Sequence, residues 1–229
     1  MKVLVVLLVL LLGAAVVADR VGEGIAEDRV ASEVAQRGGL TGTPEVDITG
    51  FPFLTQALGG TYEDVRISLT AEQLGQPAGT AADVSLRGVH LPLADALSGS
   101  VAEVPVDRVD GTATLSYALL AAQVGGDTTL TPEGSGVRVT RTVDVLGVEV
   151  PLTAAGTVTL QGSDVVVEVA EAEASGVDVP DFVVERAAGL LDLRYPVPAL
   201  PFGLQLTGVR PAGDGVHVTV EATDTVLRG

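Results

Sequence analysis

The chain has 229 residues, a formal net charge of −17, no cysteine, and 47% hydrophobic but only 3% aromatic residues. That length suits one domain behind a leader. The charge opposes nucleic-acid phosphates and any polybasic grip on anionic lipid, and the lack of cysteine excludes disulfides, thiolate metal sites, a cysteine nucleophile and a lipoprotein-type anchor. The apolar content is nearly all Val, Leu and Ala, with 28 Gly: a composition for strands, turns and a smooth aliphatic interior.

Met1-Lys2 precedes an unbroken apolar run, Val3 to Ala18, closed by Asp19-Arg20. Residues 1–18 read as a secretory signal, with Val16 and Ala18 before the cut, or as a retained N-terminal anchor. As a helix the run spans roughly 24 Å, short of the ~30 Å hydrocarbon core of a bilayer. Under either reading Lys2 stays cytoplasmic and the body is exported. It is then secreted into the periplasm or cell envelope, or tethered to the outer face of the cytoplasmic membrane. Residues 19–25, with Gly22 and Gly24, read as a short spacer, and 26–229 as a single domain.

Ala26, Val30 and Val34 recur at helical spacing until Gly38-Gly39, which predicts an amphipathic helix with a glycine stop. Val46–Ile48 is a short strand. Tyr62–Leu69 alternates, with Val65, Ile67 and Leu69 on one face. Thr70 to Gln73 is a capping-box pattern for one helical turn, ended at Gly75. Asp83–Leu91 is a strand and Pro92–Leu97 a short helix. Thr112–Ser116 is a strand leading to a helix over 117–124, stopped by Gly125-Gly126.

Val137–Val145, Val148–Leu160 and Asp164–Glu173 are long Val/Thr runs separated by Leu146-Gly147 and Gln161-Gly-Ser163. They predict a three-stranded antiparallel meander. Pro180 opens a helix whose stripe is Val183, Val184, Ala187, Leu190 and Leu191. A proline-rich corner (Pro196, Pro198, Pro201) follows, then strands 204–210 and 216–222 joined across 211–215. No strand–helix–strand alternation occurs, so a parallel sheet is not expected. The elements fit an α+β fold: a long curved antiparallel sheet wrapped around one or two amphipathic helices.

Recognisable catalytic patterns are lacking. There is no G-x-S-x-G elbow, P-loop or dinucleotide glycine set. His217 alternates out of phase with Val216, Val218 and Val220 and is expected on the solvated face. His90 shares a face with Val84 and Leu86 and is expected half-buried and hydrogen-bonded. Neither has metal-ligand spacing. In so acidic a chain the pairs Asp107/Asp110 and Glu171/Glu173 carry little information. Two aromatic–proline corners stand out, Gly50-Phe-Pro-Phe-Leu54 and Tyr195-Pro-Val-Pro-Ala-Leu-Pro-Phe-Gly-Leu204. Such corners can plug the ends of a core, line a lipid entrance or touch a bilayer.

The stretch Asp47-Ile-Thr-Gly-Phe-Pro-Phe-Leu-Thr-Gln-Ala-Leu58 resembles a signature of the LmeA-like phospholipid-binding proteins of actinobacterial cell envelopes. Val65–Leu69, Leu86–Leu93, Gly111–Tyr117 and Leu200–Leu204 resemble further blocks in the same order, so the likeness runs from about Val30 to the C-terminus. It implies a tubular lipid-binding (TULIP-like) fold. It also implies an exported, non-enzymatic phospholipid-binding protein that supports envelope glycolipid or lipid assembly or transfer. Its partners would be phospholipid or another acyl lipid, the membrane surface and envelope glycolipid biosynthesis proteins, with no nucleic acid and no cofactor.

The residues themselves support an aliphatic ligand. From periodicity, the expected lipid contacts are Phe51, Phe53, Leu54, Val183, Ala187, Leu190, Leu191, Phe202 and Leu204. No catalytic or metal residue is expected. The alternative is a non-enzymatic envelope scaffold or adaptor with a dry core. An envelope hydrolase, which would need a polar cleft with a paired acid and base, is a third and weaker reading.

Overall fold

A computed structural model describes residues 2–99, 101–125, 127–145, 148–174, 193–197 and 204–228. The Pro180 helix, the Leu146-Gly147 turn and the centre of the second proline corner lie outside the described residues, and with them Val183, Ala187, Leu190, Leu191 and Phe202. The fold is α+β, with the antiparallel pairing expected from the sequence. The chain forms two compact units. One holds residues 1–69, 83–111 and 221–229; the other holds residues 70–82 and 112–220.

The first unit begins with helix α1 (Lys2–Gly38), followed by strand β1 (Glu45–Thr49) and helix α2 (Phe53–Gly59). Strands β2 (Thr61–Thr70), β3 (Ala81–His90) and β4 (Glu103–Leu115) follow, with α4 (Leu93–Ser98) after β3; the one-turn helix α3 (Ala71–Leu74) after β2 falls in the second unit. The capping box at α3 forms as its sequence dictates, with the Thr70 N–H donating to Gln73 Oε1 at 2.7 Å. The six-stranded sheet has the order β1-β2-β3-β4-β11-β10, of which β10 (Gln205–Pro211) belongs to the second unit and β11 (Val216–Arg228) runs from the second unit into the first. β1 pairs antiparallel with β2, Val46 opposite Ile67 and Ile48 opposite Val65.

In the second unit, helix α5 (Tyr117–Val124) starts at Ser116, whose Oγ accepts from the Leu119 N–H at 3.2 Å. This N-cap satisfies a donor that the first turn leaves open. A five-stranded antiparallel sheet follows in the order β5 (Thr128–Glu133), β6 (Gly136–Val145), β7 (Val148–Gln161), β8 (Asp164–Ala174), β9 (Leu193–Pro196). The predicted meander is β6–β7–β8. β5 escapes sequence reading because Pro132 interrupts it, and its position at the sheet's edge explains why proline is tolerated there.

A bulge settles which face of β8 turns inward. Before it, Leu160 pairs with Val165, Val158 with Val167 and Gly156 with Val169; after the shift at Ala155/Gly156, Ala154 pairs with Ala172 and Leu152 with Ala174. In an unbroken strand, Val165, Val167 and Val169 would share their face with Glu171 and Glu173, by simple alternation. The extra residue resets that phase, so Glu171 and Glu173 fall opposite Ala155 and Thr153 on the other register. Gly156 sits at this point because a Cβ there would lie 2.7 Å from Val167 Cγ1.

Candidate functional site

The interior of the second unit is aliphatic. Leu115, Leu119, Leu120, Leu130, Val137, Val139, Leu152, Ala154, Val158, Val165, Val167, Leu193, Val216 and Val218 form one buried cluster, with Tyr117 and Tyr195 packed against it. The Tyr117 hydroxyl donates to the Ala212 carbonyl at 2.7 Å, which leaves only the ring for the apolar side. Burial pushes its ionisation above the ordinary tyrosine range. Such walls present no polar group that a hydrocarbon chain would leave without a partner. Leu204, one of the expected contacts, precedes β10 and is half-buried.

The three expected contacts in the first corner separate. Phe53, the first residue of α2, is buried, with its ring 6.1 Å from that of Tyr62. Phe51 and Leu54 stay exposed, at 61% and 38%, as does Leu58 one turn further along α2. Gln56 fixes α2 in place: its Nε2 donates to the Thr49 carbonyl at 3.2 Å and its Oε1 accepts from the Glu63 N–H at 2.8 Å.

Helix α1 differs most from its sequence reading. Residues 19–25, expected as a spacer, continue the helix and pack against the α2 corner. Asp19 Oδ1 accepts from the Leu54 N–H at 2.8 Å, and Glu27 Oε1 accepts from the Ile48 N–H at 2.9 Å. Arg20 pairs with Glu23 at 2.7 Å and lies 5.1 Å above the Phe51 ring. Asp19 is only 2% exposed and Glu23 is also buried, whereas Val17, Val21 and Ile25 face outward. A hollow of about 300 Å³ along α1 is lined by the polar side chains of Arg29, Ser32, Glu33 and Gln36.

The polar residues singled out in the sequence are held by neighbours. His90 Nε2 lies 2.9 Å from Asp107 Oδ1, and its Nδ1 lies 3.4 Å from Thr61 Oγ1. His217 corrects its expectation: its side chain is only 17% exposed, and Nε2 meets Asp214 Oδ1 at 2.9 Å. Asp214, in the turn that precedes β11, holds the ring at that end of the strand. Among the described residues no three His, Cys, Asp or Glu gather as a metal site would require.

Asp110 accepts from Arg108 Nε at 2.8 and 2.9 Å and lies 3.5 Å from Arg87. The Arg108 hydrogen bond holds its carboxyl below the usual aspartate range. A depressed folded value means that the stabilisation is present above the unfolded pKa, near 3.9, and is lost as pH falls through the folded value. The carboxyl carbon of Asp110, followed by NMR, should therefore titrate below the free aspartate, and Arg108→Ala should move its midpoint up. An unchanged midpoint would contradict the pairing.

The α+β fold, with its antiparallel sheets and N-terminal helix, is consistent with the tubular lipid-binding class. The chain belongs to the LmeA-like phospholipid-binding family, whose model matches residues 17–221. No curated protein and no solved structure matches the chain.

Proposed function

We propose that the chain is an exported cell-envelope phospholipid-binding protein that takes acyl chains against the aliphatic interior of its second unit. It supports envelope lipid or glycolipid assembly or transfer without catalysing a reaction. Family membership supports the phospholipid ligand. The apolar helix at the N-terminus is compatible with a signal sequence or an anchor, and so with export. The observation that carries the reading is the buried cluster of Val, Leu and Ala that β6, β7 and β8 contribute, with Val137, Val139, Leu152, Ala154, Val158, Val165 and Val167.

Moving a methylene out of water is worth roughly 0.8 kcal/mol. A lipid in a bilayer has already gained that, so the exchange between bilayer and protein is nearly balanced. This suits reversible carriage or sensing better than storage. Leu204, with Val183, Ala187, Leu190, Leu191 and Phe202 on their sequence pattern, belongs to the proposed acyl-contact set of the second unit. Phe51, Phe53 and Leu54 are proposed as lipid contacts of the first unit by itself. Envelope glycolipid biosynthesis proteins are the proposed protein partners.

The near-zero exposure of Leu120, Val137, Val139, Leu152, Val165 and Val167 favours a second reading, a scaffold whose core stays dry. A phospholipid with a diazirine at its acyl terminus separates the two. Carriage predicts crosslinks to peptides of β6, β7 and β8 after irradiation. Crosslinks confined to α1 and α2 would reject carriage in that interior and leave the scaffold.

A further inference from the structure

Helix α1 is inside out over residues 19–27. Its carboxylates, Asp19, Glu23 and Glu27, turn toward the first unit, and two of them accept backbone N–H groups there. The opposite face carries Val17, Val21 and Ile25, all exposed, in line with the exposed apolar run from Val3 to Leu12. In a water-facing helix the polarity runs the other way round. Apart from Arg20 at its flank, the outward face becomes polar at Asp28. Measured from Val3 to Ile25, the apolar face is roughly 34 Å long at about 1.5 Å per residue. That covers the ~30 Å hydrocarbon core which the Val3–Ala18 run alone falls short of.

From this we propose that α1 is retained as a membrane span reaching Ile25 on its outward face, and that the α2 corner is seated in the bilayer surface. Asp19 holds the Leu54 N–H, Gly22 lies against Phe53 and Leu54, and Arg20 covers Phe51. These contacts put Phe51 and Leu54 at the depth of helix residues 19–22, below the level to which the apolar stripe extends. Leu58 follows Leu54 by one turn and is 77% exposed. At that depth the acidic side chains of α1 are turned away from lipid, and the exposed ion of the helix is Arg20, whose stem can lie along the acyl boundary while its guanidinium reaches phosphate. The occupant of this apolar face is a phospholipid bilayer, because the same helix that carries the face continues into the span. Seating of this kind rests on apolar area, so it needs no anionic lipid and survives high salt. The lipid-binding reading thereby gains a geometry, with the first unit fixed at the membrane surface by a rigid helix instead of a flexible tether.

The chain has no native cysteine, so single cysteines at Ile25, Leu54, Leu58 and Gln36 can each carry an environment-sensitive dye. The full-length protein is reconstituted in phosphatidylcholine vesicles with brominated acyl chains. The dye at positions 25, 54 and 58 should be quenched, in low and high salt alike. At Gln36, roughly 16 Å further along the axis than Ile25, it should not. Dyes at 54 and 58 as unquenched as at 36 would overturn the seating. So would a purified chain whose intact mass begins at Asp19, or protection of 54 and 58 that vanishes on dilution, which marks a second copy as the occupant. Native mass spectrometry on the same samples keeps the two readings apart. Bound phospholipid without quenching removes the seating alone, and quenching without bound phospholipid removes the carriage alone.

Discussion

Leu120→Ala should lower the unfolding free energy by about 2–5 kcal/mol, the range for emptying a buried leucine site. Leu120 is fully buried on α5, in the cluster that includes Leu130 of β5 and Leu193 of β9. Removing its branched end leaves a void in that cluster, which the surrounding side chains fill only in part. The denaturant midpoint should fall with little change in slope. Leu58→Ala, at a leucine 77% exposed, should stay within about 0.5 kcal/mol. A drop for Leu120→Ala no larger than for Leu58→Ala would show that α5 is not part of the core. Bound phospholipid should raise the midpoint of the parent protein by mass action. Part of that gain should be missing in the variant if the ligand shares this interior.

The second large effect is expected at Asp19. Its Oδ1 holds the Leu54 N–H, while its Oδ2 is buried with no hydrogen-bond partner. Asp19→Ala leaves the Leu54 N–H unpaired inside the contact, which costs on the order of 1–3 kcal/mol. Asp19→Asn keeps an acceptor for that N–H and removes the charge on the unpartnered side, so its cost should be clearly smaller. Hydrogen exchange at the Leu54 amide is the direct readout: faster in Asp19→Ala and near parental in Asp19→Asn. Equal exchange in the two variants would mean that the carboxylate does not fix α1 to α2.

The strands were legible where alternation was long and uninterrupted. β2, β6, β7 and β8 follow their Val, Ile and Thr periodicity, and α3 and α5 follow their caps. β5 and β9 were not, because Pro132 in one and the shortness of Leu193–Pro196 in the other give a two-residue period no room to show. Helix α2 was hidden for a related reason: Phe51-Pro52-Phe53 reads as a corner, and seven residues from Phe53 to Gly59 carry barely two turns of pattern. The first half of β4 was masked by Asp107, Arg108 and Asp110, which alternate with Val106 and Val109 imperfectly.

The candidate site divides in the same way. An aliphatic interior follows from composition alone, and the Phe51–Leu54 corner was marked by its rarity in an aromatic-poor chain. That Phe53 turns in while Phe51 and Leu54 turn out depends on where α2 starts, which no local pattern specifies. The docking of α1 was hidden because its inward face is acidic there. Side-chain polarity pointed to solvent, whereas the carboxylates satisfy backbone N–H groups of α2 and β1. The bulge at Ala155/Gly156 was likewise invisible, although the clash of phase between Val169 and Glu171 on one strand required something of the kind.

Native mass spectrometry of the full-length protein, purified from its own host's membranes in mild detergent, addresses the acyl ligand directly. Protein ions should carry the added mass of phospholipid, and the bound lipid should exchange when phospholipid vesicles are supplied. Ions of the bare polypeptide alone, with no uptake from vesicles, would contradict a lipid-carrying interior.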